Sequence, residues 1–189
     1  MKMSAKYLYG AAVVTALLQT GVLFAGIEKR AQILRYGQDI VVQTSRVDPR
    51  DLMRGDYVIL GYDFSEFAQS AVKDATDDYS GDVYVAVKKG DDGLWHMSRA
   101  SIKPFDDLSA DEVQIKGETV YPIWLQSGGN VRLRFGVERY YVPEGEGLAI
   151  EGELSENNIT AILAVSKEGI AQIKALQNKG AKMYQEPLY

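Results

Sequence analysis

An uncharged and mostly apolar run from Tyr7 to Ile27 constrains this chain more than any other feature of its sequence. An α-helix rises about 1.5 Å per residue, so about 20 apolar residues cross a hydrocarbon core of about 30 Å. A soluble helix of this length would normally carry a polar face, and none is visible here. We therefore predict a short tail over 1–6 and a transmembrane helix over 7–27, which makes the lipid bilayer the first expected partner.

A cleaved signal peptide is the main alternative to a permanent anchor. Lys2 and Lys6 would form its basic n-region, but a signal h-region usually has about 7–15 residues, and this run is longer. The segment Leu23-Phe24-Ala25 also places a bulky leucine where cleavage favours a small residue. We therefore expect a retained signal-anchor and a single-pass membrane protein.

The charges that flank the run give no clear orientation. Two lysines and the free amine precede it, whereas three basic residues between Lys29 and Arg35 follow it and are offset by Glu28. Positive-inside counting also weakens for long domains, which cross a membrane largely regardless of charge. We expect a protein of the cytoplasmic (inner) membrane, with its tail in the cytoplasm and its C-terminal domain extracytoplasmic, or periplasmic.

Composition limits the chemistry that the rest of the chain can perform. The 189 residues include no cysteine and a single histidine, His96. Disulfides, thiolate nucleophiles and clusters of cysteine or histidine ligands are therefore excluded, and we predict no metal and no cofactor. His96 follows Trp95 in a predicted strand, where we expect an exposed or hydrogen-bonded side chain on the face opposite the tryptophan.

The chain outside its tail is acidic. Without Lys2 and Lys6 it holds 19 basic and 26 acidic residues, a net charge of −7. Nucleic acid binds basic surfaces, so we expect no nucleic-acid partner. By net charge, the domain is also a poor candidate for binding anionic lipid.

The sequence pattern changes from helical to strand-like after Ile27. Helical spacing continues over 28–38, where we predict a juxtamembrane helix or linker that stops at Gly37. Over 39–189, short β-branched and aromatic runs alternate with turn residues, which predicts one mainly β domain, a barrel or sandwich with one or two short helices. The predicted strands are Ile40–Val42, Tyr57–Tyr62, Val83–Val87, Trp95–Ala100, Val113–Ile115, Val120–Leu125, Val131–Phe135, Tyr140–Val142 and Ile159–Val165.

Two stretches have the i, i+3, i+4 spacing of an amphipathic helix, although each also fits a strand or loop. They are Phe64–Asp74 and Lys167–Gln177. The clearest hairpin joins Asp82–Lys88 to Leu94–Met97 through a turn rich in glycine and aspartate. A second hairpin is predicted between 120–125 and 131–135.

Two further segments carry more specific signals than ordinary loops. In the first, over 47–65, Asp48-Pro49 favours a turn, and Gly55-Asp56 leads into the strand at Tyr57. In the second, over 135–147, Gly136 interrupts a strand and indicates a bulge or a close backbone contact.

These segments resemble the GDYXXLXY family, a group of membrane-anchored proteins. The motif that gives the family its name stands here as Gly55-Asp56-Tyr57-Val58-Ile59-Leu60-Gly61-Tyr62. Residues 48–54 and 136–145 are also similar to the family's pattern, so the resemblance spans most of the expected outer domain. It implies an N-terminal membrane helix, a β-rich outer domain and association with other membrane proteins, and it implies no catalytic residue.

Charged and aromatic residues of these segments are the candidates for a site. They either contact a partner or ligand, as loops on a rigid β scaffold often do, or form a buried ion-pair network that locks two loops together. The candidates are Arg50, Arg54, Asp56, Tyr57, Glu138, Arg139, Tyr140 and Glu144.

The expected function is that of a membrane-anchored, non-enzymatic accessory or interaction domain that associates with another membrane protein. The alternative is a module that binds an envelope small molecule or glycan through exposed tyrosines. The tyrosines considered for that role are Tyr57, Tyr62, Tyr140 and Tyr141.

A serine hydrolase is the least favoured hypothesis. The segment from Ser45 to Pro49, followed by Gly55-Asp56, is similar to the nucleophile region of membrane-anchored signal peptidases. However, the serine of that pattern lies three residues before the proline, and Ser45 lies four residues before it. The chemistry also needs a lysine with a lowered pKa, and the positional candidates lie in no apolar context. Those candidates are Lys88, Lys89 and Lys103.

Overall fold

A single long helix and a β-rich body make up the described part of the chain. The computed structural model describes residues 5–46, 57–125, 128–141 and 159–185. The helix is α1, Ala5–Tyr36, and short 3₁₀ turns lie at Asp63–Ser65 and Gln69–Ala71. The described strands are β1 Gln38–Arg46, β2 Tyr57–Tyr62, β3 Glu66–Ala68, β4 Val72–Lys73, β5 Asp82–Lys89, β6 Trp95–Ser101, β7 Glu112–Thr119, β8 Asn130–Arg134, β9 Arg139–Tyr141, β10 Ile159–Val165, β11 Ala171–Asn178 and β12 Ala181–Gln185.

The strands form two sheets that share one hydrophobic core. The first has the order β12-β11-β10-β1-β2-β9, and the second has the order β3-β8-β7-β5-β6-β4. Ile40 and Leu60 from the first sheet are buried in the same cluster as Val85 and Ile115 from the second. The predicted class, a mainly β domain of the barrel or sandwich type that follows one N-terminal helix, is therefore confirmed.

The first part of α1 is long and apolar enough to cross a membrane. None of the residues in the most apolar window of the described helix is buried in the protein. The core helix of a soluble protein would bury one face. The exposed apolar surface is instead the kind that lipid covers.

The last turns of α1 belong to the β domain. The helix continues without a break beyond Ile27, and Ala31, Ile33 and Leu34 are buried. Ile33 and Leu34 pack with Ala164 of β10 in a small apolar cluster of their own. The predicted juxtamembrane segment is therefore a helix docked on the domain.

The helix ends directly before Gly37, where the sequence predicts its end. The backbone around position 37 leaves no room for a larger residue. Its N–H donates to the carbonyl oxygen of Ile33 at 2.8 Å. A Cβ atom at position 37 would lie 2.5 Å from that oxygen and 3.0 Å from the backbone nitrogen of Val165. The chain therefore passes directly from α1 into β1 against β10.

One predicted strand, Val120–Leu125, and the hairpin built on it are wrong. β7 extends to Thr119 and pairs there with Leu133 of β8, so the sheet partner of β8 lies earlier in the chain. Within 120–125, Ile123 makes an isolated bridge to Tyr79. Within this stretch the buried Ile123 instead anchors a connection between strands.

Neither stretch with helical spacing forms an α-helix, and the alternatives that each sequence also fits, strand and loop, describe both better. Phe64–Asp74 forms two 3₁₀ turns with β3 and β4, because the buried Phe64 and Val72 contact the core from separate short pieces. Lys167–Gln177 is mostly β11, which pairs with β10. A bulge skips Lys174 and buries both Ala175 and Leu176, so the apolar spacing imitates a helical period.

Candidate functional site

The predicted site residues divide between described and undescribed parts of the chain. Tyr57 contributes its backbone to the pairing of β2 with β9, Glu138 lies in the turn that leads into β9, and Arg139 and Tyr140 are the first residues of β9. The ion-pair network between the two loops therefore stays a prediction. The candidates that lie outside the described residues are Arg50, Arg54, Asp56 and Glu144.

Glu138 closes the turn between β8 and β9. Its carboxylate accepts hydrogen bonds from the backbone N–H groups of Phe135 and Gly136, the second at 3.0 Å. Its own carbonyl accepts the N–H of Leu60 at 2.8 Å. Gly136 has a φ of +79°, which favours glycine and explains why the strand is interrupted there. Glu138 therefore links this turn to the second half of the family motif on β2.

The last tyrosine of the motif, Tyr62, holds the same turn from inside the core. Its hydroxyl donates to the carbonyl oxygen of Val137 at 2.6 Å, and its ring stacks on Phe64 at 5.3 Å. Burial, and then the negative charge of Glu138, raise the pKa of Tyr62 well above its ordinary value of 10.0. The hydroxyl stays protonated and serves as a structural donor.

The strand alternation of β9 divides its aromatic residues between the core and the surface. Tyr140 is buried, whereas Tyr141 is 69% exposed and Arg139 is exposed. Of the tyrosines considered as ligand contacts, Tyr62 and Tyr140 therefore belong to the core. The side chain of Tyr57 lies outside the described atoms, and Tyr141 points outward.

A groove lies where the end of α1 meets the β domain. Its volume is about 250 Å³, and it is lined by Arg30 of α1, Arg139 and Tyr141 of β9, and Gln172 of β11. Arg139 is among the predicted site residues, and Arg30 is not. A basic residue directly after an apolar run was the available signal, but only the fold brings these two arginines to one groove.

A second surface is an exposed aromatic patch that the sequence analysis missed, made of Tyr121, Trp124 and Leu125. Tyr121 is 68% exposed and Trp124 is 50% exposed. The fully buried Ile123 between them donates its N–H to the carbonyl oxygen of Tyr79 at 2.8 Å. The connection is therefore held in place, and it presents these side chains to solvent. This patch was not predicted because Val120–Leu125 was assigned to a strand.

His96 lies between two carboxylates on the surface of the second sheet. Its Nε2 is 2.9 Å from Asp92 Oδ2, and its Nδ1 is 3.2 Å from Asp63 Oδ2. Hydrogen bonds to Asp92 and then to Asp63 raise the pKa of His96 above its ordinary value of 6.5. Since both ring nitrogens can donate only in the imidazolium, this arrangement favours the charged form. His96 is thus the hydrogen-bonded strand residue that the sequence predicts.

The serine hydrolase hypothesis gains no support from Ser45 or Lys88. Ser45 is exposed and pairs with Gly61 in the ladder between β1 and β2. Lys88 Nζ lies 2.7 Å from Asp111 Oδ2, and this hydrogen bond together with the aspartate charge raises the pKa of Lys88. A lysine that activates a serine needs the opposite shift. Within the described ranges, no group of three or more His, Cys, Asp or Glu side chains could hold a metal ion.

Comparison with known proteins identifies a family. Residues 19–176 match the family described as GDYXXLXY protein. The match begins within the apolar run and ends in β11, so it includes the docked part of α1 and all strands from β1 to β10. No curated protein and no solved structure matches the chain.

Proposed function

Because the chain belongs to the GDYXXLXY family, we propose that it is a membrane-anchored, non-enzymatic accessory domain that binds another membrane protein. In this proposal α1 stays in the cytoplasmic membrane as a permanent anchor. The β domain lies on the extracytoplasmic side, directly above the bilayer. The partner is an integral membrane protein that extends to the same height.

The unbroken passage of α1 into the β domain carries this proposal. A helix that is exposed along its apolar part and buried at Ala31 and Leu34 cannot rotate freely against the domain that it supports. The domain therefore keeps one tilt and one height relative to the bilayer as the protein diffuses laterally. This fixed orientation lowers the ordering cost of a specific contact.

The aromatic patch is the contact surface that we assign to the partner. Tyrosine and tryptophan are enriched at the centres of protein interfaces, where they bury large areas with little loss of conformational freedom. Tyr121 and Trp124 project from a connection fixed at Ile123, so the patch is preorganised.

Site-specific photo-crosslinking in intact membranes tests the proposal. A photoreactive amino acid replaces Tyr121 in the full chain, and the same replacement at Asp91 is the control. Asp91 is exposed in the turn between β5 and β6, outside the patch. We expect one discrete protein adduct from position 121 that is absent from position 91 and stays in the membrane after carbonate extraction.

Only lipid adducts, or identical adducts from both positions, would contradict the accessory function. A protein that appears in the soluble fraction with its N-terminal segment removed would contradict the anchor. A reporter fused to the C-terminus tests the orientation separately, and cytoplasmic reporter activity would overturn the extracytoplasmic location.

A ligand-binding module is the second candidate function. Burial of Tyr62 and Tyr140 removes two of the expected contacts. The groove beside Tyr141 favours this candidate, because it is concave and combines polar and aromatic side chains.

A further inference from the structure

We propose that the groove between α1 and the β domain binds the phosphate of an anionic phospholipid. This inference goes beyond the accessory function, since a lipid site can exist whether or not a protein partner binds the aromatic patch. It rests on the depth of the groove in the membrane, on the chemistry of its lining and on its size.

The position of Arg30 in the helix places the groove among the headgroups. Arg30 follows Ile27, the end of the uncharged apolar run, by three positions in an unbroken helix. Three residues correspond to a rise of about 4.5 Å. Headgroup layers extend about 5–8 Å beyond each face of the hydrocarbon core. The Arg30 side chain therefore leaves the helix at the height of lipid phosphates.

The lining of the groove has the chemistry that a phosphodiester requires. Arg30 and Arg139, which are far apart in the sequence, both line the groove. A guanidinium can bind two phosphate oxygens at once. Both arginines have interactions within the protein, and a guanidinium carries five N–H donors in all. The Tyr141 hydroxyl and the Gln172 amide can donate to the ester or glycerol oxygens.

The acidic character of the whole domain does not oppose this local site. Net charge governs how a free protein is drawn to a membrane, whereas this chain is proposed to be anchored there already. Headgroups next to the anchor are present at a high effective concentration, so two local cations are sufficient for selection between lipids. Tyr141 is 69% exposed, and tyrosine is a residue that membrane interfaces favour.

The size of the groove suits a headgroup. Its volume of about 250 Å³ is large compared with the share of one water molecule in the liquid, about 30 Å³. A phosphate with part of its hydration fits in that space. The acyl chains would remain in the bilayer beside the apolar part of α1.

Native mass spectrometry of the full chain in detergent tests the proposal. The protein is titrated with phosphatidylglycerol and, separately, with phosphatidylcholine of the same acyl chains. We expect the anionic lipid to bind more tightly. The double variant R30Q/R139Q should weaken its binding by about twenty-fivefold, from about fivefold for each cation near a membrane surface.

A matched control removes the same charge elsewhere. R132Q/K88Q eliminates two cations that form exposed ion pairs with Glu66 and Asp111, away from the groove. This variant should keep the wild-type preference for phosphatidylglycerol. A second variant, R139K, retains the charge but loses the guanidinium, and it should give an intermediate affinity. If R30Q/R139Q does not fold, the affinity of R139K tests the proposal in its place.

Five outcomes would overturn the proposal. Equal binding of both lipids, or an unchanged preference in R30Q/R139Q, would remove the site. An unchanged affinity in R139K would show that the guanidinium is not a ligand. Displacement of phosphatidylglycerol by an equal concentration of inorganic phosphate would indicate a site for free anions. Protein adducts without lipid adducts from a photoreactive residue at position 141 would make the groove a protein contact.

Discussion

Gly37→Ala is the sharpest test of how the helix is joined to the β domain. The new methyl group would meet the carbonyl oxygen of Ile33 at 2.5 Å and the backbone nitrogen and oxygen of Val165 at 3.0 and 3.1 Å. All three atoms belong to backbone, so no side-chain rotation can relieve the contact. The end of α1 must move away from β10, or the strand must bend.

The size of the effect follows from two opposing contributions. Forcing an extra methyl group into a packed site costs about 1–3 kcal/mol. Replacing glycine by alanine restricts the unfolded chain, which raises the free energy of unfolding by about 0.4–1 kcal/mol. The net loss should be about 1–2 kcal/mol. With a urea dependence of about 2 kcal/mol per M, the unfolding midpoint should fall by about 0.5–1 M.

Tryptophan fluorescence in detergent measures this change in the β domain alone. Both tryptophans of the chain, Trp95 and Trp124, lie in that domain. The control is Gly26→Ala in the same helix, where a new Cβ would meet nothing within 4 Å, and its midpoint should not fall below that of wild type, because alanine is the better helix former. A Gly37→Ala midpoint equal to that of Gly26→Ala would refute the close docking of α1 on β10.

Three further predictions concern the interior and surface of the β domain. Because the folded-state pKa of His96 is raised above 6.5, its stabilising contribution is complete below that pH and is lost as pH rises through the raised value. His96→Gln should therefore reduce the difference in urea midpoint between about pH 5.5 and about pH 8.5, and an unchanged difference would contradict this. Tyr62→Phe should cost about 1–3 kcal/mol in urea unfolding by leaving a buried carbonyl unpaired, whereas the exposed Tyr121→Phe should stay within about 0.5 kcal/mol. Gly117→Ala should cost about 1–3 kcal/mol, since its methyl would lie 2.8 Å from the Phe135 ring, and a double-mutant cycle with Phe135→Leu should show that the smaller side chain lowers this cost.

Local patterns were sufficient to predict much of the fold. The apolar run predicts the long helix, and Gly37 predicts its end. In β8 and just beyond it, Val131, Leu133 and Phe135 are buried on one face, as strict alternation predicts. The hairpin of β5 and β6 also follows from alternation and from a turn rich in glycine and aspartate.

The errors occurred where distant contacts override local pattern. In β11, the bulge opposite Ile162 and Leu163 of β10 shifts the pairing by one residue. The sequence of β11 contains no residue type that indicates a bulge. The apolar run at Val120–Leu125 predicts a strand, yet in the structure Ile123 anchors a connection between strands. Strand propensity cannot distinguish these uses, because both bury a β-branched side chain.

The site depended even more on contacts between distant parts of the chain. The sequence analysis grouped Arg139 with charged residues of the two loops, and most of that group lies outside the described residues. The groove instead brings Arg139 close to Arg30, which becomes possible only when α1 packs on β10 and β11. A motif search finds residues that are close in sequence, whereas this groove is created by docking.

The dependence of the groove on docking allows the two proposals to be separated with one variant. Gly37→Ala disturbs the junction of α1 with β10, and with it the surroundings of Arg30, but leaves the connection at Ile123 bonded to Tyr79. Under conditions in which this variant is folded, it should lose much of its preference for phosphatidylglycerol. It should keep the protein adduct at Tyr121. Loss of the adduct with an intact lipid preference would mean that the partner contacts the helix junction, and that the groove does not require Arg30 in its present place.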